Sequence, residues 1–160
     1  MEKIKNNCIY FIIFIIIFSM VASIILLKPL NNLDEIWNYN FAKNMADGLI
    51  PYLDFNIVTT PLLPFICAIF LKLFGNELWI MRILACFLIS GIFLMIYFIE
   101  KKLKINSFFS FLILFFFFFI LKDYICIDYN FAILFIVLIL IYLELNYNFK
   151  NKIFYFSIGL

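Results

Sequence analysis

The most constraining feature of this chain is a series of apolar runs long enough to cross a lipid bilayer. The first run, 8–27, contains 20 residues and no charged side chain. Because about 20 apolar residues span the ~30 Å hydrocarbon core of a bilayer as a helix, this run predicts a transmembrane span. Similar runs predict three further spans and the start of a fifth. They cover 80–99, 107–121, 129–145 and 153–160.

The composition supports the same interpretation. Hydrophobic residues make up 68% of the chain and charged residues 14%, against about 45–50% and about 25% in soluble globular domains. Too few polar side chains remain to cover a water-facing surface, so a soluble globular domain is excluded. In lipid, every backbone polar group needs a partner within the protein, and a helix provides one. We therefore predict an all-α protein, a polytopic transmembrane helix bundle.

Several classes of site are excluded by the residues that the chain lacks. It contains no histidine, so imidazole bases, Ser-His-Asp triads and histidine metal sites are absent. The four cysteines lie singly in apolar runs and form no Cys-x-x-Cys pair, which favours a structural role for them. We predict no metal site. A net charge of +2 argues against nucleic acid as a partner.

The segment 61–74 is apolar but has only 14 residues, and Pro61 and Pro64 stand near its start. This length is typical of a re-entrant or interfacial half-helix rather than a span. If the segment does not cross, most lysines fall on one side of the membrane, which the positive-inside rule identifies as the cytoplasm. These are Lys3, Lys5, Lys101, Lys102, Lys104, Lys150 and Lys152. We therefore predict a multi-pass protein of the cell (plasma) membrane, in contact with membrane lipid, with a cytoplasmic N-terminus.

The loop 28–60, which this orientation places on the outer side, is the longest polar stretch of the chain. Its first half predicts an interfacial, juxtamembrane helix over 34–47. Asn32 or Asp34 can cap the N-terminus of that helix, and Gly48 is suited to end it. Loops held by a rigid scaffold often carry binding or catalytic residues, so we expect a functional site here.

The apolar spacing predicts how this helix meets its surroundings. Trp37, Phe41 and Met45 recur every four residues and therefore form one stripe. A stripe of this kind is typical of an amphipathic helix that lies on a membrane surface. The following residues, 49–55, contain Pro51 and are expected to be extended.

Three acidic residues at the outer side are candidates for chemistry. Asp34 and Glu35 either cap the interfacial helix or present a carboxylate at the depth of the lipid headgroups. Asp128 either pairs with Lys122 as an ordinary loop acid or faces a cavity between helices, because a carboxylate that faces lipid is costly. Both interpretations remain open at this point.

Two basic residues are candidates for binding an anion. Arg82 opens the second predicted span, and Lys72 lies near the end of the half-helix. Each either extends its charge toward the membrane surface, as flanking residues commonly do, or contacts an anionic headgroup or phosphate. The outer side therefore gathers acids and bases around one interface.

The order of these features resembles the GT-C type of polyprenyl-phosphate-sugar-dependent glycosyltransferases, the superfamily of the protein O-mannosyltransferases and aminoarabinose transferases (glycosyltransferase family 39-like). Members share an order of features along the chain. A first span is followed by an Asp-Glu pair and by an Ala-to-Gly stretch that leads to Pro-Tyr-x-Asp. A half-helix that begins with Pro-Leu and ends in Phe-Gly comes next, and then an Arg. The residues that carry the resemblance are Asp34, Glu35, Ala42, Gly48, Pro51, Tyr52, Asp54, Pro61, Leu62, Phe74, Gly75, Arg82, Lys101, Lys102 and Asp128. They cover nearly the whole chain.

The resemblance implies an all-α GT-C-like N-terminal module and a reaction. A sugar on a polyprenyl phosphate is transferred, with inversion, to a hydroxyl of a protein, lipid or polymer at the outer face. By the resemblance, Asp34 and Glu35 are the catalytic acids, and Asp34 acts as general base or orients the acceptor. Asp128 binds acceptor or sugar, and Tyr52 and Asp54 belong to a substrate-binding motif. No cofactor follows from the resemblance, and a divalent cation remains an alternative.

One position departs from the family pattern. In the aminoarabinose branch a phosphate-contacting Lys precedes the Pro of the half-helix, and Thr60 stands there in this chain. Phosphate binding then falls to Lys72 or Arg82. Family members have many more spans, so the resemblance implies that 1–160 is the N-terminal part of a transferase and incomplete alone. The alternative is a non-catalytic small integral membrane protein, such as a subunit or a component of a lipid-sugar flippase or transporter.

Overall fold

The computed structural model of the chain describes residues 2–30 and 32–147, with side chains over 10–30 and 32–146. This part of the chain contains six α-helices and no strand. In chain order they are α1 (Glu2–Ile25), α2 (Leu33–Ala46), α3 (Leu62–Phe74), α4 (Leu78–Lys102), α5 (Ser107–Leu121) and α6 (Tyr129–Tyr147). The all-α class predicted from sequence is confirmed for these residues. The predicted start of a fifth span, 153–160, lies outside the described residues.

Helix α4 is the centre of the assembly. It packs against α1, α3, α5 and α6, whereas α2 packs mainly against α3. Met81, Ala85 and Ile89 are at most 1% exposed, and their spacing of four residues places them on one face of α4. Gly91 faces α6, where a Cβ atom would lie only 3.0 Å from the ring of Phe135. The absence of a side chain at this position lets the two helices approach closely.

The helices define two ends of the assembly. At the first end, named the Arg82 end, α1 and α5 finish and α4 and α6 begin, and the Arg82 guanidinium donates to the Lys28 carbonyl at 2.6 Å. At the opposite end, named the Glu100 end, the ring centroids of Tyr10 in α1 and Phe98 in α4 are 5.1 Å apart. Because α2 follows α1 and α3 leads into α4, the α2–α3 pair begins and finishes at the Arg82 end.

Two of the described helices are long and apolar enough to cross a membrane, judged by length and composition. They are Leu78–Lys102 and Tyr129–Asn146. Three other apolar helices are shorter: Tyr10–Ile25, which is the part of α1 with described side chains, Leu62–Phe74 and Ser107–Leu121. The membrane character predicted from sequence is therefore supported for α4 and α6 at this level.

Local side-chain chemistry sets the bounds of α2. The Oδ1 atom of Asn32 accepts a hydrogen bond from the backbone N–H of Asp34 at 2.9 Å, as an N-cap residue does. Gly48 follows the end of the helix with φ of 93°. This is the left-handed region that glycine adopts without strain, so Gly48 ends the helix as its sequence position indicates.

The apolar stripe of α2 is only partly covered by the protein. Glu35, Asn38 and Ala42 are the buried residues of this helix. Trp37 lies on the opposite side and is 47% exposed, and the Phe41 ring is partly covered by that of Phe55, 6.2 Å away. Helix α2 thus buries the face that carries Glu35 and Asn38, whereas its stripe is exposed at Trp37 and half-buried at Phe41 and Met45.

The expectation that residues 49–55 are extended is wrong. They close into a turn, in which the Tyr52 N–H donates to the Phe55 carbonyl at 2.9 Å and the Ile50 N–H donates to Asp54 Oδ2 at 2.7 Å. The physical reason is the Asp54 side chain, because an Asp carboxylate that accepts a nearby backbone N–H stabilises a turn. Tyr52 takes the left-handed φ of 66° that this turn requires.

Candidate functional site

A buried ion pair joins α2 to α4 at the Arg82 end. The Nε atom of Arg82 donates to Glu35 Oε1 at 2.7 Å, and Nη2 donates to Oε2 at 3.2 Å. The Glu35 side chain is only 3% exposed. Two-point pairing between a planar guanidinium and a carboxylate fixes the orientation of both groups and is stronger than a neutral hydrogen bond. Glu35 therefore holds the start of α2 against α4.

The same guanidinium also binds the backbone just beyond α1. Its Nη1 atom donates to the carbonyl of Lys28 at 2.6 Å and lies 3.5 Å from that of Leu26. Carbonyls at the end of a helix have no partner within the helix and need one from elsewhere. Arg82 thus connects α1, α2 and α4, and its donors are committed to protein acceptors. A phosphate contact by Arg82 would have to replace these bonds.

Asp34 precedes Glu35 but is exposed. Its backbone is held on both sides, because Asn32 caps its N–H and the Nδ2 atom of Asn38 donates to its carbonyl at 2.8 Å. Asn38 is 3% exposed, and its Oδ1 has no hydrogen-bond partner among the described residues. A fixed backbone therefore presents the Asp34 carboxylate outward, in the first helical turn, where the helix dipole stabilises negative charge.

Asp128 precedes α6 at the same end and is 4% exposed. Its Oδ1 atom accepts from the backbone N–H of Asn130 at 2.7 Å, which caps the helix. Its Oδ2 atom is buried and has no partner within the described residues. Lys122 places its ammonium 4.6 Å from the centre of the Phe119 ring. An unpaired buried carboxylate oxygen is unfavourable, so Oδ2 is an acceptor that lacks a donor in this part of the chain.

The acids of α2 and α6 act on one buried thiol, that of Cys126. Its Sγ atom lies 3.5 Å from Nδ2 of Asn32. Burial, followed by the charge of Asp128, raises the pKa of Cys126 to about 12. The charges of Glu35 and Asp34 act in the same direction. The charge of Lys28 acts in the opposite direction. Because charges lose their effect within a short distance in salt solution, these charged groups all lie near the thiol.

The other residues predicted from sequence lie on α3 and on its connection to α2. Tyr52 is 65% exposed, and the carboxylate of Asp54 is engaged in the turn between these helices. Thr60 is exposed just before α3. Lys72 is exposed in the last turn of α3 and borders an apolar groove of about 660 Å³ between α3 and the end of α2. No described hydrogen bond links this group to the acids at the Arg82 end.

Sequence reasoning missed two side chains of the Arg82 end. Lys28 donates through Nζ to the carbonyl of Asp123 and so ties the end of α1 to the loop after α5. Asn38 presents the unpaired buried oxygen described above. Two sequence signals could have found them. Lys28 is a lone cation directly after an apolar run, and Asn38 is an amide one helical turn beyond Asp34. Within the described residues, no group of three or more His, Cys, Asp or Glu side chains could hold a metal ion.

This arrangement suits a ligand that donates hydrogen bonds. An exposed carboxylate on Asp34, a buried carboxylate oxygen on Asp128 and a buried amide oxygen on Asn38 are all acceptors. A carboxylate within reach of a hydroxyl is also a suitable general base. A scan of protein-family models, a search of curated proteins and a search of solved structures found no match for this chain.

Proposed function

We propose that the chain is a multi-pass protein of the cell membrane, with a cytoplasmic N-terminus and the Arg82 end outside. The first support is α6, since no residue of the apolar segment Tyr129–Asn146 is buried inside the protein. An apolar helix with no buried residue is typical of one that faces lipid. The second support is Lys101 and Lys102 at the Glu100 end, which the positive-inside rule assigns to the cytoplasm.

We further propose that the chain is the N-terminal portion of a GT-C-type glycosyltransferase, which moves a sugar from a polyprenyl phosphate to an acceptor hydroxyl at the outer face. The observation that carries this proposal is the gathering of Asp34, Glu35, Arg82 and Asp128 at one end of the assembly. Transfer to a hydroxyl needs an acceptor for its proton, and a donor anchored in lipid presents its sugar at the surface of the membrane. Acids grouped at the end of the spans meet both needs.

The four residues take different roles in this proposal. The exposed Asp34 carboxylate accepts the proton of the acceptor hydroxyl as the oxygen attacks the anomeric carbon. The unpaired Oδ2 of Asp128 accepts a hydrogen bond from a hydroxyl of the sugar or the acceptor. Glu35 and Arg82 are positioning residues, because their charged groups bind each other and hold the start of α2 in place.

Lys72 is our candidate for contact with the lipid phosphate. It borders the groove of about 660 Å³, whose other lining residues include Leu62 and Phe65, and an apolar groove of this kind suits an isoprenoid chain. An ammonium beside the departing phosphate stabilises the negative charge that grows there. Thr60 precedes Pro61, which also lines this groove, so the hydroxyl stands at the entrance to α3.

The catalytic assignment is tested with Asp34→Asn in the complete transferase of which this chain is proposed to be the N-terminal portion. Membranes from cells that express it are assayed with undecaprenyl-phosphate mannose and undecaprenyl-phosphate aminoarabinose as donor probes. We expect transfer of radiolabelled sugar to an acceptor hydroxyl to fall by about 10²–10⁴-fold, the contribution of a general base. Asp123→Asn is the matched control, since Asp123 is an exposed acid of the same end and should leave the rate unchanged. Retained transfer in Asp34→Asn would remove the catalytic role of this residue.

The donor assignment is tested by binding of undecaprenyl phosphate to the same complete protein after purification. We expect Lys72→Gln to weaken binding by about tenfold, as loss of one charge-assisted contact does. Lys43→Gln, at an exposed lysine of α2, should have no effect. If the wild-type protein does not bind undecaprenyl phosphate, the sugar-transfer proposal fails and the non-catalytic membrane protein is favoured.

A further inference from the structure

The Glu100 end contains a buried acid that the proposed sugar transfer does not use. Glu100 is 4% exposed, and neither carboxylate oxygen has a hydrogen-bond partner among the described residues. Ser110, in the first turn of α5, is 2% exposed, and its Oγ is likewise unpaired in that part of the chain. The Ser110 hydroxyl lies close enough to the Glu100 carboxyl to act on it, as the charge of Lys101 does, but the two groups do not meet the geometry of a hydrogen bond. Acceptors buried in this way call for a donor.

Ser110 lies at one end of an apolar groove between α1, α4 and α5. The groove has a volume of about 260 Å³, and it extends along α5 from Ser107 to Phe118, about 16 Å at the rise of an α-helix. Its side walls include exposed apolar residues, so the groove is open to its surroundings along its length. These are Ile16, Met20, Phe111 and Phe115.

The volume of this groove limits which kind of molecule can occupy it. A cavity of about 150 Å³ holds one benzene molecule, so about 260 Å³ accommodates about ten carbon atoms of an aliphatic chain. A transmembrane helix is about 10 Å wide with its side chains and does not enter a space of this volume. In a membrane the hydrocarbon available at this position is a lipid chain.

We propose that this groove binds one hydrocarbon chain of a membrane phospholipid whose headgroup carries a primary ammonium, and that Glu100 and Ser110 accept hydrogen bonds from that ammonium. Lys102 and Lys104 are exposed at the same end, where they complement the phosphate of the same headgroup. A trimethylammonium headgroup has no N–H donor and leaves the buried acceptors unpaired. This inference rests on the proposed membrane location and is independent of the sugar transfer.

The test is native mass spectrometry of the purified full chain in detergent, with phosphatidylethanolamine, phosphatidylcholine and phosphatidylglycerol of equal chain length as probes. We expect phosphatidylethanolamine to bind about tenfold more tightly than the other two, because only its ammonium donates charge-assisted hydrogen bonds to Glu100. Glu100→Gln should abolish this preference, and Ser110→Ala should reduce it by about threefold. Glu144→Gln, at an exposed glutamate of α6, is the matched control and should bind like the wild type.

A second variant tests the groove itself. Leu114 lines the groove, and Leu114→Trp should fill it and remove bound phospholipid while the helix content by circular dichroism stays that of the wild type. Lipid retained in this folded variant would overturn the groove assignment. Equal binding of the three lipids by the wild type, or an unchanged preference in Glu100→Gln, would overturn the headgroup assignment. A protein dimer without bound lipid would assign the groove to a second copy of the chain and overturn the proposal.

Discussion

The Arg82 end and the Glu100 end each bury one glutamate, and the two carboxylates differ in what surrounds them. Glu35 is 3% exposed, and both of its oxygens accept hydrogen bonds from Arg82. Glu100 is 4% exposed, and both of its oxygens lack a partner within the described residues. Similar burial therefore accompanies different roles. Glu35 forms a structural ion pair, whereas Glu100 is an acceptor with no donor among the described residues.

The difference follows from the number of chain segments that meet at each end. At the Arg82 end, the loop after α1, the start of α2 and the start of α4 come together, so a single guanidinium reaches acceptors on the first two. At the Glu100 end, a short turn joins α4 to α5, and its backbone folds back so that the Ile105 N–H donates to the Glu100 carbonyl at 3.0 Å. That bond satisfies the backbone of Glu100 and does not satisfy its side chain.

The largest effect that we expect is from Glu35→Gln. This substitution removes the negative charge and leaves the Arg82 cation buried, which should lower the free energy of unfolding by about 3–5 kcal/mol. The measurement is unfolding of the detergent-solubilised protein by a denaturing detergent, followed by circular dichroism. Asp123→Asn, at an exposed acid of the same end, should change stability by less than about 0.5 kcal/mol. If Glu35→Gln lowers the free energy of unfolding by less than about 1 kcal/mol, as expected for an exposed pair, the ion pair is not buried in solution.

A smaller effect is expected midway between the two ends, where neither glutamate is involved. Gly91→Leu should lower the free energy of unfolding by about 1–3 kcal/mol, because its side chain would collide with the Phe135 ring and overpack the contact between α4 and α6. The same unfolding assay measures it. Phe135→Ala in the same chain should restore part of the loss. If the double variant is no more stable than Gly91→Leu alone, the close contact is not the cause.

We expect the stability of the protein to depend on pH through the buried thiol of Cys126 at the Arg82 end. The folded protein raises the pKa of Cys126 from 9.0 to about 12 by burial, so it favours the protonated form. The resulting stabilisation is fully present below pH 9 and is lost as the pH rises from 9 toward 12. Between pH 8 and pH 10 the wild type should lose about 1.4 kcal/mol more stability than Cys126→Ala. Parallel pH curves for the two proteins would place the thiol in contact with water.

The smallest effect is expected from Glu100→Gln, the same chemical change as at the first glutamate. No hydrogen bond or ion pair in the described residues is lost, so stability in detergent without added lipid should change by less than about 0.5 kcal/mol or increase. The unfolding assay used for Glu35→Gln measures it under identical conditions. A loss as large as that of Glu35→Gln would show that Glu100 also has a partner in the folded protein, and would remove the contrast between the ends.

Much of the helical architecture could be predicted because each helix has a local cause. The uncharged run 107–121 becomes a helix with those bounds, and α2 occupies Leu33–Ala46 where the sequence predicts 34–47. Asn32 and Gly48 provide its two ends without help from the rest of the protein. The turn over 51–55 was missed because it depends on which way the side chain of an acid folds back, and the order of residues does not specify this.

The pairing within the site could not be predicted for a different reason. The sequence places acids and bases at the same side, but Arg82 follows Glu35 by 47 residues, and no periodicity indicates which carboxylate it selects. The alternative pairing of Asp128 with Lys122 was equally consistent with the sequence, yet the ammonium lies over the Phe119 ring. Glu100 was not singled out from the sequence, because it stands between an apolar run and a group of lysines that served only to orient the chain.

Arg82 binds carbonyl groups at the end of α1, which the ribosome synthesises well before Arg82 itself. The carbonyls of Leu26 and Lys28 precede it by 56 and 54 residues, an interval of about 3–11 seconds at ordinary translation rates of about 5–20 residues per second. Glu35, which precedes Arg82 by 47 residues, likewise lacks its counter-charge until Arg82 is synthesised. The nascent chain therefore carries both groups unsatisfied until the fourth helix leaves the ribosome. The contacts that join α4 to the end of α1 and to the start of α2 therefore form only after α4 has been synthesised.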